Sequence, residues 1–186
     1  VLMEAFRHNE DIHTRTASEV FDVPPLMVTP EMRRDAKAVN FGIVYGQTPF
    51  GLAQALGIDR KQAEKYIANY FERYAGVRKF IDRTIEEVRK TGVSRTLLGR
   101  ERPIPDINTR NPNARGFAER TAVNTPLQGT AADLMKIAMI RVEEKLKGFE
   151  SRMLLQVHDE LVLEAPPQEA AELSKLVKSE MENVYP

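Results

Sequence analysis

Two basic and two aromatic residues recur at four-residue intervals in one segment of the sequence. They are Arg33, Lys37, Phe41 and Tyr45. Four steps along an α-helix return to within about 40° of the same direction, so a helix places all four on one stripe about 18 Å long. The basic residues lie at the N-terminal end, where the helix dipole also favours anions. The stripe predicts a nucleoside triphosphate site, with the phosphates at the basic end and the base on the aromatic rings.

The flanking residues predict where this helix begins. Thr29 is a favoured N-cap, Pro30 suits the first helical position, and Glu31 is an acid in the first turn, so we expect a helix over 30–45. An amphipathic helix whose aromatic side chains pack in a core would show the same spacing. Spacing alone leaves both interpretations open.

A second four-residue repeat places three hydrogen-bond donors on one segment: Arg120, Asn124 and Gln128. Pro126 is expected to kink or break a helix there. The DNA minor groove presents acceptors that hardly depend on sequence, so such donors suit a protein that checks base-pair shape without reading sequence. Helix caps and surface contacts are the alternative.

A polar break at His158 and Asp159 interrupts an apolar segment over 153–164. The pattern predicts two antiparallel strands and a tight turn, because Asp and His tolerate positive φ better than most residues. Such a turn needs no function to explain it. Glu160 follows directly, however, and carboxylates at the ends of neighbouring strands can hold Mg²⁺ ions.

Composition limits the class of protein. The 186 residues include 27 basic and 27 acidic side chains and no cysteine, and 42% are hydrophobic. These values exclude a disordered chain and a disulfide scaffold, and no apolar run approaches the roughly 20 residues of a membrane span. Basic residues predominate over 89–120 and acidic residues over 159–182. This distribution fits a phosphate-binding surface and a separate acidic site, or simply two solvated faces.

The remaining pattern is mainly helical. We expect helices over 11–20, 59–75, 77–90 and 114–147, a strand over 93–98, a loop over 99–113 and a last helix after Pro167. Asp59 and Gln62 have the spacing of a capping box. Helices combined with a small antiparallel sheet predict the α+β class.

Three segments resemble motifs of the family A DNA polymerases, the DNA polymerase I family, and they occur in the family's order. The stripe with Gly46 resembles the fingers-helix signature, 119–133 resembles the long palm helix, and 155–160 resembles the palm carboxylate motif. His13, which alone would more often be a surface residue or a cap, lies where the family has its own histidine. The resemblance is strongest to bacterial members.

The resemblance implies a helical fingers subdomain inserted in a partial palm. We expect residues 1–112 to be mainly fingers and 113–186 mainly palm, with the thumb and the upstream palm motif absent. The family's other catalytic aspartate is expected before Val1. We therefore expect the 186-residue chain alone to be inactive.

The resemblance also implies an activity, which is template-directed addition of deoxynucleotides to a primer 3′ end with two Mg²⁺ ions. The implied partners are primer–template DNA and deoxynucleoside triphosphates, without a membrane, in a monomeric cytoplasmic protein. The implied roles are catalysis for Asp159, Glu160 and Lys37, metal binding for Asp159, nucleotide binding for His13, Arg33, Lys37, Phe41 and Tyr45, and DNA contacts for Arg120, Asn124, Gln128 and His158.

Two other functions remain open at this point. One is a nucleotide- or DNA-binding module without catalysis, which would keep Arg33 and Lys37. The other is a metal-dependent phosphohydrolase built on His158, Asp159 and Glu160. The second would need more metal ligands than three histidines and no cysteine readily supply.

Overall fold

A computed structural model of the chain describes residues 2–185. Helices alternate with two separate two-stranded sheets, which confirms the α+β class. The chain divides into two compact units, one formed by residues up to Ser94 with Glu101–Thr125, the other by Arg95–Arg100 with the residues from Pro126 onwards. Within the described part of the chain, no helix is both long enough and apolar enough to cross a membrane.

The first unit contains seven helices among its described residues. They are α1 (Leu2–Arg7), α2 (Ile12–Phe21), α3 (Pro30–Val44), α4 (Pro49–Leu56), α5 (Arg60–Arg73), α6 (Ala75–Thr91) and α7 (Pro112–Asn124). The predicted helices are confirmed, whereas α1 and α4 were not predicted. The signal for α4 is the one that predicted α3, because Thr48 caps the helix and Pro49 follows it.

Side chains cap α3 and α5 at their N-termini. The Thr29 hydroxyl accepts a hydrogen bond from the backbone N–H of Met32 at 3.2 Å, as its predicted N-cap role requires. Asp59 accepts one from the backbone N–H of Gln62 at 2.9 Å. The Gln62 amide donates to the Tyr66 hydroxyl at 2.8 Å, so only the first bond of the expected capping box is seen in the described structure.

One hydrophobic cluster joins the helices around α3. It contains buried side chains from α2, α3, α4 and α5 and from Tyr74 directly after α5. Each buried Val, Leu or Ile among them contributes roughly 1.5–3 kcal/mol through its removal from water. The cluster fixes which face of α3 is buried and which is exposed. Its members are Val20, Val39, Ile43, Leu52, Ala53, Ala63, Tyr70 and Tyr74.

The segment after α6 is less regular than predicted. Strand β1 covers only Val93–Arg95 and pairs with β2, Glu101–Pro103, which lies in the region expected to be loop. A 3₁₀ turn follows at Pro105–Asn108. The expected strand over 93–98 is therefore too long, because the chain turns within it, and the expected loop contains two short elements.

Pro126 interrupts the long helical region as predicted. The chain passes from α7 through a π-helical turn at Thr125–Gly129 into α8, Thr130–Lys145. Proline has no N–H to donate to the carbonyl of Ala122 four residues earlier. The Ser94 hydroxyl donates to that carbonyl at 2.8 Å, so a side chain replaces the lost helical bond.

The second unit contains a hairpin and two helices. Strands β3 (Arg152–Val157) and β4 (Glu160–Glu164) are antiparallel, with Val157 opposite Glu160 at the turn. Helix α9 (Ala170–Glu182) packs beside the hairpin over a buried group of Val142, Leu146 and Leu173. The predicted hairpin and last helix are both confirmed.

Candidate functional site

Helix α3 presents the predicted stripe to solvent. Arg33, Lys37, Phe41 and Tyr45 are all exposed, with Phe41 at 44% and Tyr45 at 42%. The four residues therefore share one exposed face of the helix, and Phe41 and Tyr45 do not pack in a core within the described structure. The buried residues of α3 are Ala36, Val39, Asn40, Gly42 and Ile43.

The aromatic end of the stripe is ordered by ring contacts. The rings of Phe41 and Tyr45 are nearly parallel, 11° apart, with their centroids 6.0 Å from each other. Lys37 Nζ lies 5.9 Å from the Phe41 centroid, within the range of a cation–π contact. Two flat faces and one cation thus share one exposed surface, which suits a ligand that carries both a planar ring and negative charge.

Asp11 holds Arg33 at the basic end. The Arg33 Nε and Nη2 atoms each lie 2.8 Å from Asp11 Oδ2. The other oxygen of Asp11 caps α2, since it accepts from the backbone N–H groups of His13 and Thr14 at 2.9 Å. The Thr14 N–H and then the Arg33 guanidinium lower the pKa of the Asp11 carboxyl, against an opposing effect of partial burial. The carboxylate therefore ties α3 to the start of α2.

We expect Asp11→Asn to lower the free energy of unfolding at pH 7 by up to about 1 kcal/mol, since this ion pair is partly exposed. Asparagine keeps the cap and removes only the charge. The folded pKa of Asp11 lies below its unfolded value, so its stabilisation is present above the unfolded pKa and is lost as the pH falls through the folded pKa.

Urea unfolding of both proteins at pH 7 and at a series of lower pH values measures this difference in stability. The difference should shrink as the pH falls through the folded pKa of Asp11. Glu31→Gln is the matched control, because the exposed Glu31–Arg34 pair at 3.5 Å should contribute less. A difference that stays constant with pH would contradict the role of the Asp11 charge.

His13 lies beside the stripe. Its ring centroid is 5.9 Å from that of Phe41, and its Nδ1 atom is 3.2 Å from Asn40 Nδ2. Partial burial is the largest cause that lowers the pKa of His13, and the Arg33 and Lys37 charges add to it against Asp11. The imidazole is therefore neutral at pH 7. Asp11, not His13, provides the helix cap.

Arg120 borders the aromatic end of the stripe. Together with Phe41, Tyr45, Gly46 and Gln47 it lines an open cleft of about 690 Å³, a size typical of small-molecule sites. Gly46 has φ +67°, and a Cβ placed on it would lie 2.6 Å from Arg120 Cγ. The absence of a side chain at Gly46 thus lets the Arg120 stem lie against the end of α3.

We expect Gly46→Ala to destabilise the protein by about 1 kcal/mol more than Gly57→Ala. Both glycines have left-handed φ, +67° and +66°, so alanine strains the backbone similarly at each. Only at Gly46 does the new methyl group collide with a side chain, which forces Arg120 from its conformation. Urea unfolding of the two variants measures the difference, and equal losses would show that Arg120 moves aside without cost.

The other predicted DNA-contact residues follow Arg120 along the chain. Asn124 ends α7, and its Oδ1 atom is buried without a hydrogen-bond partner among residues 2–185. A buried acceptor of this kind costs about 1–3 kcal/mol if nothing donates to it. Gln128 is exposed within the π-helical turn, so the four-residue helical spacing does not continue to it unchanged.

The hairpin turn presents the predicted carboxylates. His158 has φ +54°, in agreement with the expected positive φ, and His158, Asp159 and Glu160 are all exposed. Carboxylate oxygens are suitable ligands for Mg²⁺. No group of three His, Asp or Glu side chains suited to a metal ion occurs in the described residues. Asp159 and Glu160 therefore have the chemistry of magnesium ligands but supply only part of a metal site. The described residues do not provide the complete set of metal ligands that a phosphohydrolase built on His158, Asp159 and Glu160 would need.

Three residues of the site make contacts in the structure that were not predicted from the sequence. Asp11 was given no role of its own, although its position before a helix is typical of a cap. Asn40 stands between Val39 and Phe41 in an otherwise apolar stretch, and a polar residue there is a signal of a buried contact. No sequence pattern near Gly46 predicts its contact with Arg120.

Comparison with known proteins places the chain among polymerases. The model of DNA polymerase family A matches residues 1–186. DNA polymerase I of Streptococcus pneumoniae is 54% identical over 184 residues, which is 97% of this chain and 21% of that protein. The thermostable DNA polymerase I of Thermus filiformis is 52% identical over 185 residues, which is 100% of this chain and 22% of that protein. The chain thus spans about a fifth of the length of these relatives.

A solved structure has the same fold. The POL domain of Pol1 from M. smegmatis, in complex with DNA primer–template and dNTP, superposes with a TM-score of 0.94 at 45% identity. The match covers 100% of this chain and 33% of that one. Since the family model spans all 186 residues and agrees with these relatives, the chain belongs to DNA polymerase family A.

Proposed function

We propose that this chain is the nucleotide-binding and primer-contacting part of a template-directed DNA polymerase. The observation that carries the proposal is the exposed stripe of α3, in which Arg33 and Lys37 precede the stacked rings of Phe41 and Tyr45. Its polarity and length match those of a deoxynucleoside triphosphate. The solved M. smegmatis relative, which is bound to primer–template and dNTP, supports the same class of ligand.

The basic end of the stripe would bind the triphosphate. Lys37 is exposed and has no carboxylate partner in the described structure, so its charge is available to a phosphate. Arg33 is held by Asp11 at 2.8 Å, and a phosphate would compete with that carboxylate or share the guanidinium with it. The neutral ring of His13 would add a hydrogen bond without adding charge.

The aromatic end would hold the sugar and base. Phe41 and Tyr45 offer parallel exposed faces, and stacking on a base contributes about 1–3 kcal/mol. The cleft beside them, bordered by Arg120, would place the nucleotide next to the primer terminus. Arg120, Asn124, Gln128 and His158 would contact primer and template, with minor-groove acceptors as the targets of the side chains that donate.

We also propose the subdomain roles that the family resemblance implies. Residues 1–112 would be mainly fingers and 113–186 mainly palm. By the same resemblance, the protein would act as a monomer in the cytoplasm.

The proposed chemistry is nucleotidyl transfer to the primer 3′ hydroxyl with release of pyrophosphate. Asp159, with Glu160 as an auxiliary carboxylate, would form part of a site for two Mg²⁺ ions. When bound, these ions would supply activation of the primer hydroxyl and neutralisation of the leaving pyrophosphate. Lys37 would stabilise negative charge that develops on the transferred phosphate.

Primer extension by a full-length polymerase containing this chain tests the proposal against its main alternative. With Mg²⁺, primer–template and four deoxynucleotides, we expect extension that follows the template. A protein that binds primer–template and nucleotide but never extends the primer would favour the non-catalytic binding module. A protein that binds neither would contradict both.

A further inference from the structure

Asn40 is a buried amide directly beside the exposed stripe. Its side chain is 9% exposed on the inner face of α3. Burial of an amide is costly unless its polar atoms are hydrogen-bonded. Asn40 Nδ2 lies 3.0 Å from Thr16 Oγ1 and 3.2 Å from His13 Nδ1, and Asn40 Oδ1 lies 3.2 Å from Thr16 Oγ1. Both polar ends of the amide are therefore satisfied, and one bond reaches the histidine of the proposed nucleotide site.

The contacts of Asn40 continue into the core. Thr16 is fully buried, and its hydroxyl lies 3.4 Å from that of Tyr74, which is 3% exposed at the end of α5. Burial raises the pKa of Tyr74, so its hydroxyl stays protonated. The network of Tyr74, Thr16 and Asn40 is thus uncharged and anchored in α2, α3 and α5. A fully satisfied network of this kind rigidifies its members.

The Asn40 amide determines which nitrogen of His13 can carry a proton. An amide N–H that points at Nδ1 requires a lone pair on that atom, so a neutral imidazole must carry its proton on Nε2. The ring is neutral because partial burial and the charges of Arg33 and Lys37 outweigh Asp11. In the described structure, Nε2 has no hydrogen-bond partner.

We propose that Asn40 is a positioning residue for His13. Its amide holds the ring as the Nε2–H tautomer and so presents one N–H donor beside Lys37 and Phe41. Under the proposed function, on which this last step rests, the donor meets a phosphate oxygen of the incoming nucleotide. Asn40 itself does not touch the nucleotide and acts only through His13.

The tautomer can be measured without any nucleotide. The ¹⁵N shifts of the His13 ring in the 186-residue chain, assigned by correlation with the backbone signals of residue 13, distinguish protonated from unprotonated ring nitrogens. At pH 7 we expect Nδ1 unprotonated and Nε2 protonated in the wild type. Protonated Nδ1 in the neutral wild-type ring would overturn the proposal, and this result needs no variant to fold.

Two substitutions separate positioning from packing. Asn40→Asp is nearly isosteric but offers Nδ1 a carboxylate acceptor, so we expect the proton to move to Nδ1 and the pKa of His13 to rise. The charged groups that act on the ring are Asp11, which raises its pKa, and Arg33 and Lys37, which lower it, and neither variant alters them. Thr16→Val is the control, because it breaks the core network but leaves the Asn40–His13 bond. An unchanged tautomer in Asn40→Asp would overturn the proposal.

Kinetics of a full-length polymerase containing the chain test whether the Nε2–H group of His13 contributes to nucleotide binding. We expect Asn40→Asp to raise KM for the deoxynucleotide by about tenfold, the cost of one charge-assisted hydrogen bond, and Thr16→Val to change it by less than about twofold. In a His13→Ala background, Asn40→Asp should cause no further rise in KM for the deoxynucleotide. The same tenfold rise in a protein without the histidine would overturn the positioning role. The predicted tautomer with an unchanged KM would retain the positioning of His13 and reject its use in nucleotide binding.

Discussion

Asp159→Asn is expected to reduce primer extension by about 10³-fold or more in a full-length polymerase containing this chain. A loss of that size corresponds to about 4 kcal/mol of transition-state stabilisation. Asp159 is exposed in the β3–β4 turn directly after His158, whose φ is +54°. Asparagine has the same size and suits the same turn. The substitution therefore removes a negative charge and a metal-ligand oxygen while it leaves the hairpin intact.

Single-turnover extension with Mg²⁺ and a separate titration of primer–template binding measure this effect. Binding should change by less than about threefold, because one exposed carboxylate contributes little to affinity for a polyanion. Glu164→Gln is the matched control, since it removes a carboxylate from the same hairpin that is 2.7 Å from Arg152. If Asp159→Asn extends primers as fast as Glu164→Gln, Asp159 is not part of the catalytic site.

The features predicted from sequence are those that depend on neighbouring residues. Helix α3 begins at Pro30 because Thr29 caps it, and its exposed face follows from the 3.6-residue period. The β3–β4 hairpin follows from two apolar runs and a turn that His158 can occupy at positive φ. In each case the physical cause lies within a few residues of its effect.

The features that were missed depend on distant residues. Asp11 meets Arg33 across 22 positions, and Thr16 meets Asn40 across 24. No local pattern specifies such pairs, because they exist only once α2 packs on α3. Pro126 predicted a break, but no local pattern predicts that Ser94, 28 positions away, donates to the Ala122 carbonyl that the proline leaves without its helical donor.

The contrast between the two cations of the stripe follows from these distant contacts. Equal spacing predicts equal roles for Arg33 and Lys37. The structure instead gives Arg33 a carboxylate partner in Asp11, whereas Lys37 Nζ lies over the Phe41 ring, 5.9 Å from its centroid. A ring face compensates the ammonium charge less than a carboxylate does. Lys37 is thus the cation whose charge a bound anion would neutralise most directly.

Lys37→Ala is therefore expected to lower kcat/KM for deoxynucleotides by about 10²-fold in a full-length polymerase containing this chain. Loss of one charge-assisted hydrogen bond to a phosphate costs about 1.5–3 kcal/mol, which corresponds to roughly ten- to 150-fold in rate. The dissociation constant for primer–template should change by less than about threefold, because removal of one cation mainly lowers the salt dependence of DNA binding by about one ion.

Pre-steady-state incorporation at several nucleotide concentrations, together with DNA titrations at two salt concentrations, separates the two effects. Lys61→Ala is the matched control, because Lys61 is an exposed lysine of α5 in the same unit and lies off the α3 stripe. It should leave both nucleotide use and DNA binding nearly unchanged. Parallel losses of nucleotide use and DNA affinity in Lys37→Ala would instead place Lys37 on the DNA, and the stripe would then be a contact surface for primer–template and not a triphosphate site.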